Sequence, residues 1–317
     1  MAEAVTVEID AQYRQLREEC GVVDRSERGK LLVTGSEAAE YLQGQLTNDI
    51  EALEPGEGCY AALLDRKGHM QADMRVLMVS EEKVWLDIEP EGLAAARRHL
   101  EMYKVGRDAD VHDAGAERAI VSLVGPRSAE LAGSSALLEH FHEETTIEGI
   151  ECPAVGTRLG IDLIPRAEDR ERLIAALNEA GAPAVDLAAA EIVRIEGGVP
   201  RFGSEMDAVT MPAEAGIVER AVNFEKGCYI GQETVARLHY KGKPNRHLRG
   251  LRLSAPAGPG ATLSLSDREV GMLGSSCVSP ALGPIGLAIV RREAGPGAEL
   301  LVGEDGVTAR VVDLPFG

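Results

Sequence analysis

The chain has 317 residues, 44 % of them hydrophobic and 27 % charged, with a formal net charge of −19. That length suits more than one domain, and the apolar share is enough to bury real cores. So acidic a chain repels phosphates at long range, which argues against generic binding to nucleic acid or to anionic membranes.

The first twenty residues, MAEAVTVEIDAQYRQLREEC, lack both a basic region and an apolar run, and no window approaches the roughly 20 apolar residues of a membrane span. The expectation is a cytoplasmic protein with no membrane contact. The five cysteines, Cys20, Cys59, Cys152, Cys228 and Cys277, are scattered and include no CxxC pair. Neither a disulfide framework nor a metal site is indicated.

In chain order, Tyr13–Glu19 reads as a short helix and GKLLVTG, 29–35, as a strand. SEAAEYLQGQL, 36–46, reads as a helix with Ser36 as N-cap. GCYAALLDRKGHMQADMRVLMV, 58–79, places two apolar runs around DRKG. With Asp65 first and Gly68 fourth, that spacing predicts a type I turn and a β-hairpin. KVWLDIE follows as a strand and PEGLAAARRHLEMYK, 90–104, as a helix with proline in its first turn. RAIVSLVGP, 118–126, and GTRLGIDLIP, 156–165, read as strands, with a helix starting at PRSAELAG between them. AEDRERLIAALNEAGAP, 167–183, and DLAAAEIVRIEGGVP read as helices, the second ending near Gly197. After Arg249 short apolar runs split by Gly, Pro and Ser predict a small antiparallel β-barrel. A domain boundary is therefore placed near 246, giving a mixed α+β region over 1–245 and an all-β domain over 246–317.

The densest chemistry lies in NFEKGCYIGQETVARLHYKGKPNRHLRG, 223–250. Gly227 and Gly231 bracket a cysteine in what reads as a tight turn. GQETVARLHYKG then reads as a helix, so Cys228 sits just ahead of its amino end. There the free N–H groups, with Lys226, favour thiolate over thiol. A buried cysteine chosen for size is the competing reading. Between residues 225 and 252 seven basic residues face two acidic ones, a local net charge of +5. This is either a solvated face or a landing site for a small polyanion or an acidic partner. Asp73, thirteen residues after Tyr60, can be aimed into a cleft by the hairpin and accept hydrogen bonds from a ligand amine. Asp162 interrupts an apolar strand, so it either faces solvent or meets a cationic or amino-bearing ligand.

KGCYIGQETVAR, 226–237, resembles the signature of the YgfZ family of folate-binding proteins, within the superfamily of the glycine-cleavage T-protein, an aminomethyltransferase. Weaker likenesses extend over nearly the whole chain: the segment from Tyr13 to Ile50, the hairpin LEPGEGCYAALLDRKGHMQAD, and EIVRIEGGVPRFGSEM with MPAEAG. The resemblance implies an α+β, three-lobed, T-protein-like fold with a C-terminal antiparallel β-barrel, binding tetrahydrofolate or a one-carbon derivative. It matches Asp73 to the catalytic aspartate, Tyr60 to a ligand-contacting tyrosine, and Asp162 to the acidic residue on the pterin's amino edge. Lys226 and Arg237 would face the ligand. Lys226, Gly227, Cys228, Tyr229, Gly231, Gln232 and Glu233 form the signature, with Cys228 and Asp73 as the catalytic pair.

The chain also departs from the T-protein pattern. It has Ala190 and Glu191 in place of an arginine–aspartate pair, and Ala72 where an acidic residue precedes the catalytic aspartate. Cys228 stands where T-proteins have no cysteine. The function implied is a tetrahydrofolate-binding accessory protein for iron–sulfur cluster assembly or repair, including enzymes of tRNA modification, with iron–sulfur proteins as partners. The alternative is a folate-dependent aminomethyltransferase or demethylase. A monomer is expected.

Overall fold

The computed structural model describes residues 2–135 and 137–316, with side chains from Glu8 onward. In chain order the elements are α1 (Ala2–Glu18), β1 (Gly21–Asp24), β2 (Gly29–Thr34), α2 (Ala38–Gln45), β3 (Gly58–Leu64), β4 (Met70–Ser80), β5 (Lys83–Ile88) and α3 (Pro90–Tyr103). Next come β6 (Asp110–Asp113), β7 (Val121–Val124), α4 (Ser128–Leu131), β8 (His142–Ile147), β9 (Ile150–Gly156), β10 (Gly160–Leu163), α5 (Arg170–Glu179), α6 (Leu187–Glu196) and α7 (Val218–Ala221). The chain closes with α8 (Gln232–Lys241), β11 (Arg246–Leu253), β12 (Thr262–Leu265), β13 (Arg268–Met272), β14 (Ser275–Ser279), β15 (Gly283–Arg291), β16 (Glu299–Val302) and β17 (Val307–Val312). Two compact units result. The first comprises Met1–Leu63, Gln71–Ala190 and Ala221–Ile230; the second comprises Leu64–Met70, Glu191–Arg220 and Gly231–Gly317.

The first unit holds two five-stranded sheets. One runs β3-β4-β5-β2-β6. Alternation sends Leu31, Val33, Val76, Val84 and Leu86 to the face covered by Tyr41 and Leu42 of α2 and by Ala96 and Leu100 of α3, all buried. Ala72 is fully buried in this core. The opposite face carries Leu32, Trp85 and Leu77 in one register row across β2, β5 and β4. The second sheet runs β1-β7-β10-β9-β8, and its core packs Val22, Leu123, Cys152 and Ile161 against Leu173 and Leu177 of α5.

In the second unit, β11-β17-β16-β12-β13-β15 form a ring closed by antiparallel pairing of β11 with β15, while β14 flanks β15. This six-stranded closed barrel matches the expected all-β end of the chain. Among the described residues, closure leaves β14, which flanks the ring, with a free edge.

The hairpin turn follows the spacing read from DRKG. The Gly68 N–H donates to the Asp65 carbonyl at 3.0 Å and the Asp65 N–H to the His69 carbonyl at 2.8 Å. Gly68 has φ +83°, a conformation glycine adopts without strain. The Asp65 carboxylate accepts the N–H groups of Lys67 and His69. Ser36 does not cap α2: its hydroxyl and N–H donate to the Asp108 carboxylate, and Glu37 takes the N-cap position without a side-chain bond. The strand expected over 156–165 is present as the shorter β10, Gly160–Leu163, entered by a turn from β9, and β6, β8 and β9 arise in segments not read as strands. Glu143, Glu144 and Glu151 obscured the alternation there.

Candidate functional site

Tyr60 on β3 and Asp73 on β4 meet. The tyrosine hydroxyl donates to Asp73 Oδ2 at 2.5 Å, and the Tyr60 carbonyl accepts from Asn48 Nδ2 at 2.8 Å. Asp73 is 6 % exposed, and its Oδ1 is buried with no hydrogen-bond partner among the described residues. Burial, helped by the negative charge of Glu89, pushes the Asp73 carboxyl up to about 6, while the Tyr60 hydroxyl and Arg28 pull the other way. A carboxyl in that range can hold or release a proton near neutral pH, with one oxygen fixed by tyrosine and the other open to a donor.

Beside this pair runs a ladder of alternating charge. Arg28 bridges Glu89 and Asp87, and Arg75 bridges Asp87 and Asp162, with the Arg75 to Asp162 separation 2.6 Å. Asp87 is fully buried. Burial opposes its ionisation, but the guanidiniums of Arg28 and Arg75 prevail and hold it far below the usual carboxylate range. Asp162 on β10 is 8 % exposed, so it is not the solvent-facing strand residue considered from sequence. One of its oxygens is engaged by Arg75, and this coupling of the two sheets had no signal in the sequence.

The signature segment is anchored by its lysine. Lys226 is 8 % exposed, and its Nζ donates to the carbonyls of Gln43, Leu46 and Asn48 at 2.6, 2.7 and 2.8 Å. Those carbonyls lie at and just beyond the C-terminal end of α2, where orphan acceptors and the helix dipole favour a cation. Burial lowers Lys226 to about 8, opposed by Asp49, Cys59 and Glu51. The Asn223 N–H adds a bond to the Thr47 carbonyl, and the Thr47 hydroxyl donates to the Ala221 carbonyl. Lys226 therefore turns inward as a brace, where the sequence reading had it facing a ligand and charging the thiol. Cys228 is exposed, in contrast to buried Cys20 and Cys152 and half-buried Cys59 and Cys277. The Tyr229 ring lies 5.2 Å from Lys226 Nζ, and its buried hydroxyl has no partner among the described residues. Gly227 is not forced by sterics, since a Cβ there would meet nothing within 4 Å.

In the second unit Gly231 has φ +87°, and a Cβ would fall 2.6 Å from the Asp65 carbonyl oxygen. That glycine is required, as the tight-turn reading held. Gln232 opens α8, where Glu233 and Arg237 are exposed. The basic window is thinner than its charge count. Arg246 is paired with Glu214 at 2.7 Å, and Arg249 donates to the Leu248 carbonyl and lies 3.7 Å from Asp313. Glu191 pairs with Arg194 and Arg201, and Arg194 also reaches Glu205 and the Ser275 hydroxyl.

The fold is that of an aminomethyltransferase: the structure of the glycine cleavage system aminomethyltransferase T from Bartonella henselae aligns with a TM-score of 0.84 at 24 % identity, covering 98 % of this chain and 89 % of that one. A sequence profile described as the GCVT N-terminal domain matches residues 2–226. The aminomethyltransferase of Rubrobacter xylanophilus is 30 % identical over 97 % of this chain and 86 % of its own length. That of Synechococcus sp. strain RCC307 is 31 % identical over 96 % and 89 %. A putative chloroplastic transferase of Arabidopsis thaliana is 27 % identical over 93 % and 71 %. The chain belongs to this aminomethyltransferase-like GCVT family.

Proposed function

We propose that this protein binds a reduced folate and carries out folate-dependent one-carbon chemistry of the aminomethyltransferase or demethylase type, centred on Asp73. The observation that carries this reading is the buried Asp73 carboxyl, with Oδ2 held by Tyr60 and Oδ1 without a partner. An orphaned buried acceptor suits a ligand N–H, because leaving it unpaired costs about 1–3 kcal/mol. Bound tetrahydrofolate would supply nitrogens that accept a one-carbon unit. Asp73 Oδ1 would accept a hydrogen bond from the ligand and hold a proton there, and Tyr60 would fix the carboxyl's orientation. Asp162 offers its remaining acceptor capacity to an amino edge while Arg75 balances its charge. Full-length similarity to aminomethyltransferases supports this reading.

The test is formation of methylene-tetrahydrofolate from tetrahydrofolate and an S-aminomethyl thioether, with release of ammonia and the thiol, a transfer that needs no oxidant. Turnover abolished by Asp73→Asn supports the reading; absence of turnover with the aminomethyl donor, or turnover unchanged in the variant, defeats it.

The exposure of Cys228 favours a second reading, an accessory role for iron–sulfur proteins, including those of tRNA modification. Here Lys226 fixes the segment that presents the thiol. Cys228→Ala would then keep folding and folate binding but fail to restore iron–sulfur enzyme activity in a deletion strain. Full rescue removes the thiol from any such role.

A further inference from the structure

A cavity of about 700 Å³ opens within the first unit, lined by Leu32, Leu77, Trp85 and Ile164. Its size is that of a small-molecule pocket. The β8–β9 hairpin lines it as well. Register pairs His142 with Val155, Glu144 with Pro153 and Thr146 with Glu151, so these residues share one face of the hairpin. His142, Glu144, Pro153 and Glu151 line the cavity, and Val155 packs with Trp85 and Leu77. The lining thus combines an apolar aromatic surface with the carboxylates of Glu144 and Glu151.

The charges around the rim sort by what they already bind. Glu117 accepts from His112, Glu143 from Ser135 and Asp169 from Arg172. Arg118 donates to the Ile164 carbonyl, and Arg166 lies 3.9 Å from Glu168. His142 bonds the Met78 carbonyl, and burial lowers its pKa, so its ring is neutral at pH 7. Among the described residues no hydrogen bond or ion pair engages the side chain of Glu144 or Glu151, nor that of Lys83, which also lines the cavity. Trp85 is 7 % exposed, and its buried indole N–H has no acceptor among the described residues. None of these groups belongs to the Tyr60–Asp73 pair or to the charge ladder.

We infer that this cavity is a binding site for a small organic cation, an amine carried on an apolar or aromatic body. The body packs on Leu32, Leu77 and Trp85, and the ammonium is met by Glu144 and Glu151. A tryptophan ring is the best of the aromatic side chains for a nearby cation. Among the residues that line the cavity, the five carboxylates Glu117, Glu143, Glu144, Glu151 and Asp169 outnumber the three basic side chains Lys83, Arg118 and Arg166, which selects a cation over an anion.

Trp85 is the chain's one tryptophan, so its emission reports occupancy directly. The experiment titrates the full chain with 4-phenylbutylamine, 4-phenylbutanol and 4-phenylbutyrate, which share a body and differ in charge. The expected result is a saturable change with the amine, a weaker response to the alcohol and the weakest to the carboxylate. Glu144→Gln with Glu151→Gln should weaken the amine about five-fold and leave the alcohol unchanged, as loss of two exposed charge contacts implies. Both positions are exposed, so the double variant should fold. Asp73→Asn should leave amine binding intact. Non-saturable emission, equal binding of all three probes, an unchanged amine affinity in the double variant, or loss of binding in Asp73→Asn would each overturn the assignment.

Discussion

Replacing Asp73 by asparagine tests the reading of its surroundings quantitatively. The carboxyl moves from an ordinary 3.8 to about 6 in the folded chain, chiefly through burial. A raised carboxyl pKa means that the folded state retains a proton the unfolded chain has already lost. The folded state is therefore penalised as pH rises from about 4 to 6, and the full penalty persists above that range. A shift of this size corresponds to roughly 3 kcal/mol at pH 7.5, of which about 2 kcal/mol develops between pH 4 and 7.5. Asparagine does not ionise and escapes the penalty, but it places an amide N–H where Oδ1 was. That orphan donor costs about 1 kcal/mol or more at either pH. The packing cost cancels when two pH values are compared. Urea unfolding followed by Trp85 emission reports the same unit as Asp73. The stability of Asp73→Asn relative to the parent should improve by about 2 kcal/mol between pH 4 and 7.5. A difference that is flat with pH would refute the claim that Asp73 is an uncompensated buried carboxyl.

Lys226→Met should lower stability by at least about 3 kcal/mol, because three carbonyls lose a charged donor. Urea unfolding measures the loss, and faster amide exchange near the end of α2 should accompany it. Gly231→Ala should cost about 2 kcal/mol or more from its left-handed backbone and the Asp65 carbonyl, whereas Gly227→Ala should stay within about 0.5 kcal/mol. Thermal melts of the two variants separate these cases. Maleimide labelling of the native chain, read by peptide mass, should modify Cys228 first and leave Cys20 and Cys152 protected until unfolding. Uniform labelling of all five would contradict the exposure seen here.

Where local physics decides the conformation, sequence spacing was enough. The turn at 65–68 depends on an aspartate side chain and a glycine φ, both visible in DRKG. The helix from Pro90 and the closed barrel carry their own punctuation. The hairpin itself was legible, but the bond between Tyr60 and Asp73 across it was not. By contrast, β8 and β9 hide their apolar alternation behind glutamates that line a cavity. The inward course of Lys226 depends on carbonyls about 180 residues earlier in the chain. Likewise the Arg75 to Asp162 pair joins two sheets across 87 positions, so Asp162 read from its own strand alone had no visible partner. Ser36 looked like a helix cap because residues 36–46 alone do not reveal Asp108 as a competing acceptor.

The most direct test of the central claim is a calorimetric titration of the chain with tetrahydrofolate, run beside Asp73→Asn. The account requires one saturable site in the parent and affinity at least about ten-fold weaker in the variant, the loss expected for a hydrogen bond to a buried charged acceptor. No saturable binding, or equal affinity in the two proteins, would contradict it.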